Sequence, residues 1–282
     1  MYKECIVAFI DILGFKELVN QSINNEEIYK KIYETLSKFK KLENHCSWQK
    51  DIIEVEEDAQ KKNLKEFELK DKIKCTCFSD SILITVEVNN NINEIFSTLI
   101  ANLSRIGSEL LCEGIIIRGG IDISKIYHEN NIIFGMGLIN SYELEANIAN
   151  YPRIVLSKDL ISKLNYPLNN KKNRFPYHQY LKRFDDGCVG LHQLIFYQVH
   201  DNTPCIKTGD EIKEKLKKSK KTIIRGLDSN FTTPQIFLKY KWLKIQYDEL
   251  IINENLKEKI HDISEPDSSS NIHYEYINKL FD

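Results

Sequence analysis

The stretch Cys5-Ile6-Val7-Ala8-Phe9-Ile10-Asp11-Ile12-Leu13-Gly14-Phe15 decides the fold. Cys5 to Ile10 is continuously apolar, the pattern of a strand buried on both faces. Asp11-Ile12-Leu13-Gly14 ends that strand, and Phe15-Lys16-Glu17-Leu18-Val19 opens a helical pattern. A strand therefore starts almost at once, and a carboxylate stands where it hands over to a helix. Glu4 lies ahead of the apolar run and Asp11 closes it, with no small-residue cleavage site after it, so a secretory leader is not expected. No apolar run approaches the roughly 20 residues of a membrane span. The expectation is a cytoplasmic protein without a membrane partner.

Working outward, Asn24-Asn25-Glu26-Glu27 opens a second helix that runs to about Leu42, with an Asn cap and acidic residues on its positive end. Residues 44–71 are strongly charged (Glu54, Glu56, Glu57, Asp58, Lys61, Lys62) and read as a surface insertion. Lys72–Cys77 and Ser81–Val88 read as two strands joined by the tight turn Phe78-Ser79-Asp80. Ile95, Leu99, Leu103, Ile106 and Leu110 give 92–111 a helical period. Ile115–Asp122 is a buried strand holding Gly119-Gly120, and paired glycines in a strand mark a bulge or the close approach of another element. A short strand at 132–134, a helix from Leu138 to Ala149, a strand at 151–156 and a helix capped by Ser157 complete this part. The order β-α-insert-β-β-α-β-β-α-β over 1–165 implies an α+β fold, a ferredoxin-like, antiparallel-containing sheet covered by helices. Residues 166–282 read as a C-terminal extension. They hold a hairpin of Tyr180–Phe184 and Val189–Gln198 around Asp185-Asp186-Gly187, helices from about Asp210 with an apolar face of Phe237, Tyr240, Trp242, Leu243, Tyr247 and Leu250, and a short terminal helix after a Ser264–Ser270 loop.

Composition narrows the function classes. The chain has 282 residues, 42% of them hydrophobic and 28% charged, so it builds a globular core rather than staying disordered. Lys and Arg number 39 against 41 Asp and Glu, which gives no global attraction to nucleic acid. The Lys-rich run from Lys213 to Lys221 reads as a solvated helix face. Seven cysteines, an odd number without a C-x-x-C pair, argue against a disulfide framework or a zinc knuckle. The seven histidines form no H-x-x-x-H pair, and neither G-x-x-x-x-G-K-[ST] nor G-x-G-x-x-G occurs.

Two acidic residues stand out by position. Asp11 closes the first strand, and Asp80 sits in the turn between the next two. In a ferredoxin-like sheet the first strand neighbours that hairpin, so the carboxylates meet at one edge. Two carboxylates close together repel unless a proton or cation lies between them. Oxygen-only ligation suits Mg²⁺ or Mn²⁺, which in turn holds a triphosphate. The strand-to-helix turn Ile12-Leu13-Gly14-Phe15 offers backbone N–H groups to phosphate oxygens. Each Asp taken alone is better explained as a turn cap, and only the two together in this topology bring the metal reading level with it.

Four stretches together resemble the class III nucleotidyl cyclases, the adenylate and guanylate cyclase catalytic domain. Phe9-Ile10-Asp11-Ile12-Leu13-Gly14-Phe15 is similar to their first metal motif, and Phe78-Ser79-Asp80-Ser81 to their second. Ile117-Arg118-Gly119-Gly120-Ile121 is similar to their R-x-G-[IV] strand. Tyr142-Glu143-Leu144-Glu145 with Pro152-Arg153-Ile154-Val155-Leu156-Ser157 looks like the helix and strand that close the domain. The resemblance covers about residues 4–165 and is nearest to the divergent bacterial antiphage pyrimidine cyclases. It implies two divalent ions, Mg²⁺ or Mn²⁺, on Asp11, Ile12 and Asp80. It further implies phosphate contacts at Leu13, Gly14 and Phe15, a base contact at Thr76, and a head-to-tail homodimer that turns a nucleoside triphosphate into a 3′,5′-cyclic nucleotide and pyrophosphate.

The chain departs from that pattern in its closing helix. The family's N-x-x-x-R falls on Ile139 and Glu143, with Asn140 one residue off, a rotation of roughly 100° on a helix. Asn140, Arg118, Arg153 and Lys158, with Lys125, are the candidates to replace the lost transition-state contacts. Thr76 is neutral where the family carries a charged base reader, so neither adenine nor guanine is favoured on charge. The departures leave open a catalytically degenerate module that binds nucleotide or dimerises, and a different metal-dependent nucleotidyl transferase on a related sheet.

Overall fold

The computed structural model describes residues 1–45, 72–88, 91–130, 132–166, 175, 177–199 and 209–252. Nearly all of the charged insertion expected at 44–71, and the terminal helix, lie outside the described residues.

Strand β1 (Lys3–Leu13) is buried on both faces along Cys5–Ala8, as its unbroken apolar run requires. It continues past Asp11 instead of stopping there, because Ile12 and Leu13 still pair with Ile117 and Ile116. Helix α1 (Phe15–Ser22) follows directly. Helix α2 (Glu26–Lys40) is capped by Asn25, whose Oδ1 accepts from the N–H groups of Glu27 and Ile28 at 3.0 and 3.3 Å. A short α3 (Leu42–His45) precedes the hairpin of β2 (Ile73–Phe78) and β3 (Ser81–Glu87). Then come α4 (Ile92–Cys112), β4 (Ile116–Glu129), β5 (Ile132–Gly135) and α5 (Met136–Glu143). A π-helical turn, Leu144–Ile148, prolongs α5. Next are β6 (Arg153–Leu156), α6 (Lys158–Lys163), α7 (Tyr177–Tyr180), β7 (Lys182–Arg183), β8 (Val189–His192) and α8 (Ile195–Val199). Helices α9 (Gly209–Ser229) and α10 (Pro234–Ile252) end the described chain.

The strands form one mostly antiparallel sheet in the order β2-β3-β1-β4-β6-β8-β7, with β5 paired to β4. The run β2-β3-β1-β4, antiparallel at every junction, is the ferredoxin-like arrangement expected of the first 165 residues. The α+β class, a sheet covered by helices, stands. One face of β1, carrying Ile6, Ala8, Ile10 and Ile12, joins Phe96, Leu99, Leu103 and Ile106 of α4 and Phe39 of α2 in the main core. The opposite face, carrying Cys5, Val7, Phe9 and Asp11, has Leu138 of α5 packed on it.

The C-terminal part departs from the sequence reading in two places. The expected hairpin joins the same sheet, because β8 pairs with β6 (Ile154↔Leu191) and so prolongs it across residue 165. The expected strand at 189–198 stops at His192. Leu194, Ile195 and Tyr197 are then buried at helical spacing, and the Tyr197 hydroxyl lies 3.0 Å from Cys112 Sγ at the end of α4. Burying these side chains on α4 favours a helix over continuing the strand.

Candidate functional site

Sheet register, not chain proximity, assembles the site. A row crosses four strands: Phe78 on β2 pairs with Ser81 on β3, Ser81 with Asp11 on β1, and Asp11 with Arg118 on β4. Asp80 belongs to the same row by its turn, since the Ile12 N–H donates to the Asp80 carbonyl at 3.1 Å. Ser79, beside it, has φ 56, a left-handed value that non-glycine residues adopt at some cost. The turn thus holds Asp80 at the sheet edge next to Asp11. The two carboxylates interact: burial pushes the Asp11 carboxyl above its ordinary range, the Arg118 hydrogen bond and charge pull it down, and the Asp80 charge pushes it up again.

Arg118 bridges two acids. Its Nε–H donates to Asp11 Oδ2 at 3.2 Å and lies 2.6 Å from Glu145 Oε1. Glu145 is only 3% exposed, on the π-helical turn after α5. Burial raises its carboxyl above the usual range, opposed by Arg118 and reinforced by the charge of Asp11. The glycines anticipated as a close-approach signal explain how Glu145 reaches this point. A Cβ on Gly120 would lie 2.4 Å from the Ser141 carbonyl oxygen, 2.5 Å from Leu144 Cβ and 3.0 Å from the Glu145 nitrogen. The closing helix therefore sits directly on β4, and a strand of ordinary residues would hold it off.

The remaining expected residues are dispersed. Gly14 is exposed at the N-cap of α1 with φ 76, and its carbonyl accepts from the N–H groups of Glu17 and Leu18. Leu13 is half-buried beside it and Phe15 is in the core. Thr76 lies one row in from Asp11 on the same face, through Leu83 and Phe9, about 7 Å along the strands. Its hydroxyl lies 2.9 Å from His128 Nε2, and His128 Nδ1 lies 2.9 Å from Thr85 Oγ1. Burial, followed by the Lys74 charge, lowers the pKa of His128 and favours its neutral form. Asn140 donates to Asp122 Oδ2 at 3.0 Å and to Ser124 Oγ at 3.2 Å, so its amide is engaged with the sheet. Arg153 is 2% exposed and level with Arg118 in the β4–β6 register, but its guanidinium is ion-paired with Asp186 and stacked on Phe184. Lys158 follows Leu156, which is in register with Ile121, three residues along β4 from Arg118 and away from Asp11. Lys125 is exposed on β4 opposite Glu4, far along the strand from Arg118, so of the five transition-state candidates the fold brings only Arg118 to the carboxylates.

Sequence reasoning passed over three groups: Glu145, His128 and Lys239. Lys239 on α10 interacts electrostatically with Asp11, Glu145 and Arg118. Only Glu145 carried a local signal, the glycine pair opposite it. Among the described residues no set of three or more His, Cys, Asp or Glu side chains is grouped to hold a metal. The donors present are two hard carboxylates, which suits an ion that takes its other ligands from phosphate and water. No helix is long and apolar enough to cross a membrane among the described residues.

No family model and no curated protein sequence matches the chain. Among solved structures it is similar to an adenylate/guanylate cyclase/hydrolase from Silicibacter pomeroyi, at 13% identity and a TM-score of 0.36, over 67% of this chain and 95% of that one. It is also similar to a class III adenylyl cyclase-like ATP-binding protein from Pseudomonas aeruginosa, at 13% identity and a TM-score of 0.38, over 79% of this chain. The chain spans 45% of the length of that second protein. At these values neither likeness bears on activity, and the functional reading rests on the row of side chains itself.

Proposed function

We propose that this chain is a metal-dependent nucleotidyl cyclase that converts a nucleoside triphosphate to a 3′,5′-cyclic nucleotide and pyrophosphate, of the divergent kind used in bacterial antiphage signalling. The observation that carries the reading is the pairing of Asp11 with the Asp80 turn at one sheet edge, beside an Arg and the open N-terminus of α1. Asp11 and Asp80, with the Ile12 backbone, are the groups that would hold two Mg²⁺ or Mn²⁺ ions. Bound there, such ions would supply Lewis-acid charge at the α-phosphate and would favour ionisation of the ribose 3′-hydroxyl. The chain's own work is positioning: the turn Leu13-Gly14-Phe15 presents backbone N–H groups to the phosphates, and Arg118, released from Asp11, faces the developing negative charge. The 3′-oxygen bonds to the α-phosphorus as the bond to pyrophosphate breaks, and the 3′-hydroxyl proton leaves to solvent. A second reading, a silent nucleotide-binding module, draws on Asn140 being engaged with Asp122 and on Glu143 standing where the family's Arg is expected.

Incubation with each of the four nucleoside triphosphates and Mn²⁺, with products identified by mass, tests the reading. A cyclic nucleotide is expected, with UTP or CTP turned over in preference to GTP. Binding without product selects the silent module, and equal or better turnover of ATP or GTP removes the pyrimidine preference. Base reading rests on Thr76. Neutral His128 has one donor and one acceptor nitrogen, so its tautomer decides whether Thr76 offers the base a donor or an acceptor. Thr76→Val keeps the shape and deletes the hydroxyl. We expect it to cost about 1 to 3 kcal/mol of discrimination, read as lost preference in a four-way competition; an unchanged preference removes Thr76 from base recognition.

The composite site of the family calls for a second copy of the chain. Ile132, Phe134, Met136, Ile139 and Tyr142 form an exposed apolar strip on β5 and α5, an area suited to a symmetric partner. Sedimentation is expected to give a dimer, and Ile139→Lys a monomer with lost specific activity. A wild-type monomer whose specific activity is full and independent of concentration removes the dimer.

A further inference from the structure

Helix α10 runs along the end of the sheet that carries the carboxylate row. Leu13, two residues past Asp11, and Ile116, two before Arg118, pack in one apolar cluster with Phe237, Tyr240 and Leu243 of α10. Trp242 fixes the helix there. Its ring stacks on Tyr151 at 5.6 Å and 9°, and Tyr151 lies just beyond the π-helical turn that carries Glu145. Lys239 is three residues before Trp242 and so shares its face of the helix. That face brings the Lys239 ammonium, half-buried, within electrostatic range of Asp11, Glu145 and Arg118. Among the described residues Lys239 makes neither an ion pair nor a side-chain hydrogen bond, whereas Lys244 on the same helix pairs with Asp248 at 2.5 Å.

Holding this ammonium near Arg118 is unfavourable in itself, since like charges repel and burial strips water from both. In the ligand-free arrangement the carboxylates offset it. Once cations occupy Asp11 and Asp80, Glu145 alone is left to offset Arg118 and Lys239, and the site carries a net positive charge. Such an arrangement calls for an anion of high charge. We propose that Lys239 is a polyphosphate ligand of this site, delivered within the same chain by the C-terminal helix pair, and that it binds the triphosphate tail together with Arg118. This rests on the nucleotide reading above. It assigns a role to the C-terminal extension: α9 and α10 complete the anion site that the sheet alone leaves with one cation.

Titration calorimetry of the full chain with Mn²⁺ and then with inorganic tripolyphosphate tests it. Lys239→Met keeps the apolar stem and removes the charge. We expect tripolyphosphate to bind it about 10- to 100-fold more weakly, the range for losing a charged hydrogen bond. Mn²⁺ alone should bind with unchanged or higher affinity, because removing a cation beside carboxylates does not weaken a cation site. Lys239→Arg should keep most of the tripolyphosphate affinity. Unchanged or tighter tripolyphosphate binding in Lys239→Met overturns the proposal and leaves the cyclase reading standing wherever wild type makes product. Loss of both Mn²⁺ and tripolyphosphate binding, without rescue by Lys239→Arg, overturns it as well, since the position is then structural. A wild-type protein that binds Mn²⁺ but no tripolyphosphate overturns both this proposal and the nucleotide reading.

Discussion

Asp11→Asn is expected to abolish Mn²⁺ binding and lower nucleotide turnover by about three orders of magnitude or more, yet leave the metal-free protein at least as stable as wild type at neutral pH. The turnover loss follows from removing a charge that several kcal/mol of electrostatic stabilisation depend on. The stability result follows from burial. The Asp11 carboxyl is held above its ordinary range in the fold, with burial the largest cause and the Asp80 charge adding to it. A group whose folded value is raised contributes stability that is fully present below its unfolded value and is lost as pH rises through the folded one. At neutral pH the ionised Asp11 therefore works against folding, and a neutral amide relieves it. Arg118 keeps a partner in the variant, because Glu145 remains 2.6 Å away. Thermal melts at neutral and mildly acidic pH, with Mn²⁺ titration, check both halves. A variant that melts well below wild type at neutral pH, or that still binds Mn²⁺ normally, defeats the assignment. Asp80→Asn is expected to lose turnover in the same way.

Gly120→Ala is expected to be the most damaging small substitution on β4, at about 3 kcal/mol of stability, the upper part of the usual range for overpacking. In a chain of this size that lowers the melting temperature by roughly 6 to 12 °C. The added methyl meets backbone: the Ser141 carbonyl oxygen at 2.4 Å and the Glu145 nitrogen at 3.0 Å. Backbone cannot swing aside as a side-chain tip does, so α5 and the π-helical turn must lift from the strand. Glu145 then leaves Arg118, and any remaining folded protein should lose turnover beyond its loss of stability. A variant that melts with wild type shows that the closing helix is not pinned at Gly120.

Local pattern carried much of this architecture. The apolar run from Cys5, the turn at Phe78-Ser79-Asp80, the helical period from Ile95 to Leu110 and the glycine pair at 119–120 each state a local preference, and together they restrict the sheet to a ferredoxin-like order. That order alone places Asp11 beside the Asp80 turn, because the first strand must lie next to the hairpin. Other features had no local signal. His128 meets Thr76 across 52 residues and Arg118 meets Asp11 across 107. The hairpin at 182–192 reads the same whether it stands apart or prolongs the sheet, and the edge of β6 chose the second. Tyr197 reads as strand until the end of α4 offers it a buried hydrogen bond. Lys239 is one lysine among many until α10 settles on Leu13 and Ile116. Sequence period determines which face of an element is apolar, and so which elements form; which charged groups those faces carry to the same point depends on packing between distant segments, and only the tertiary structure decided it.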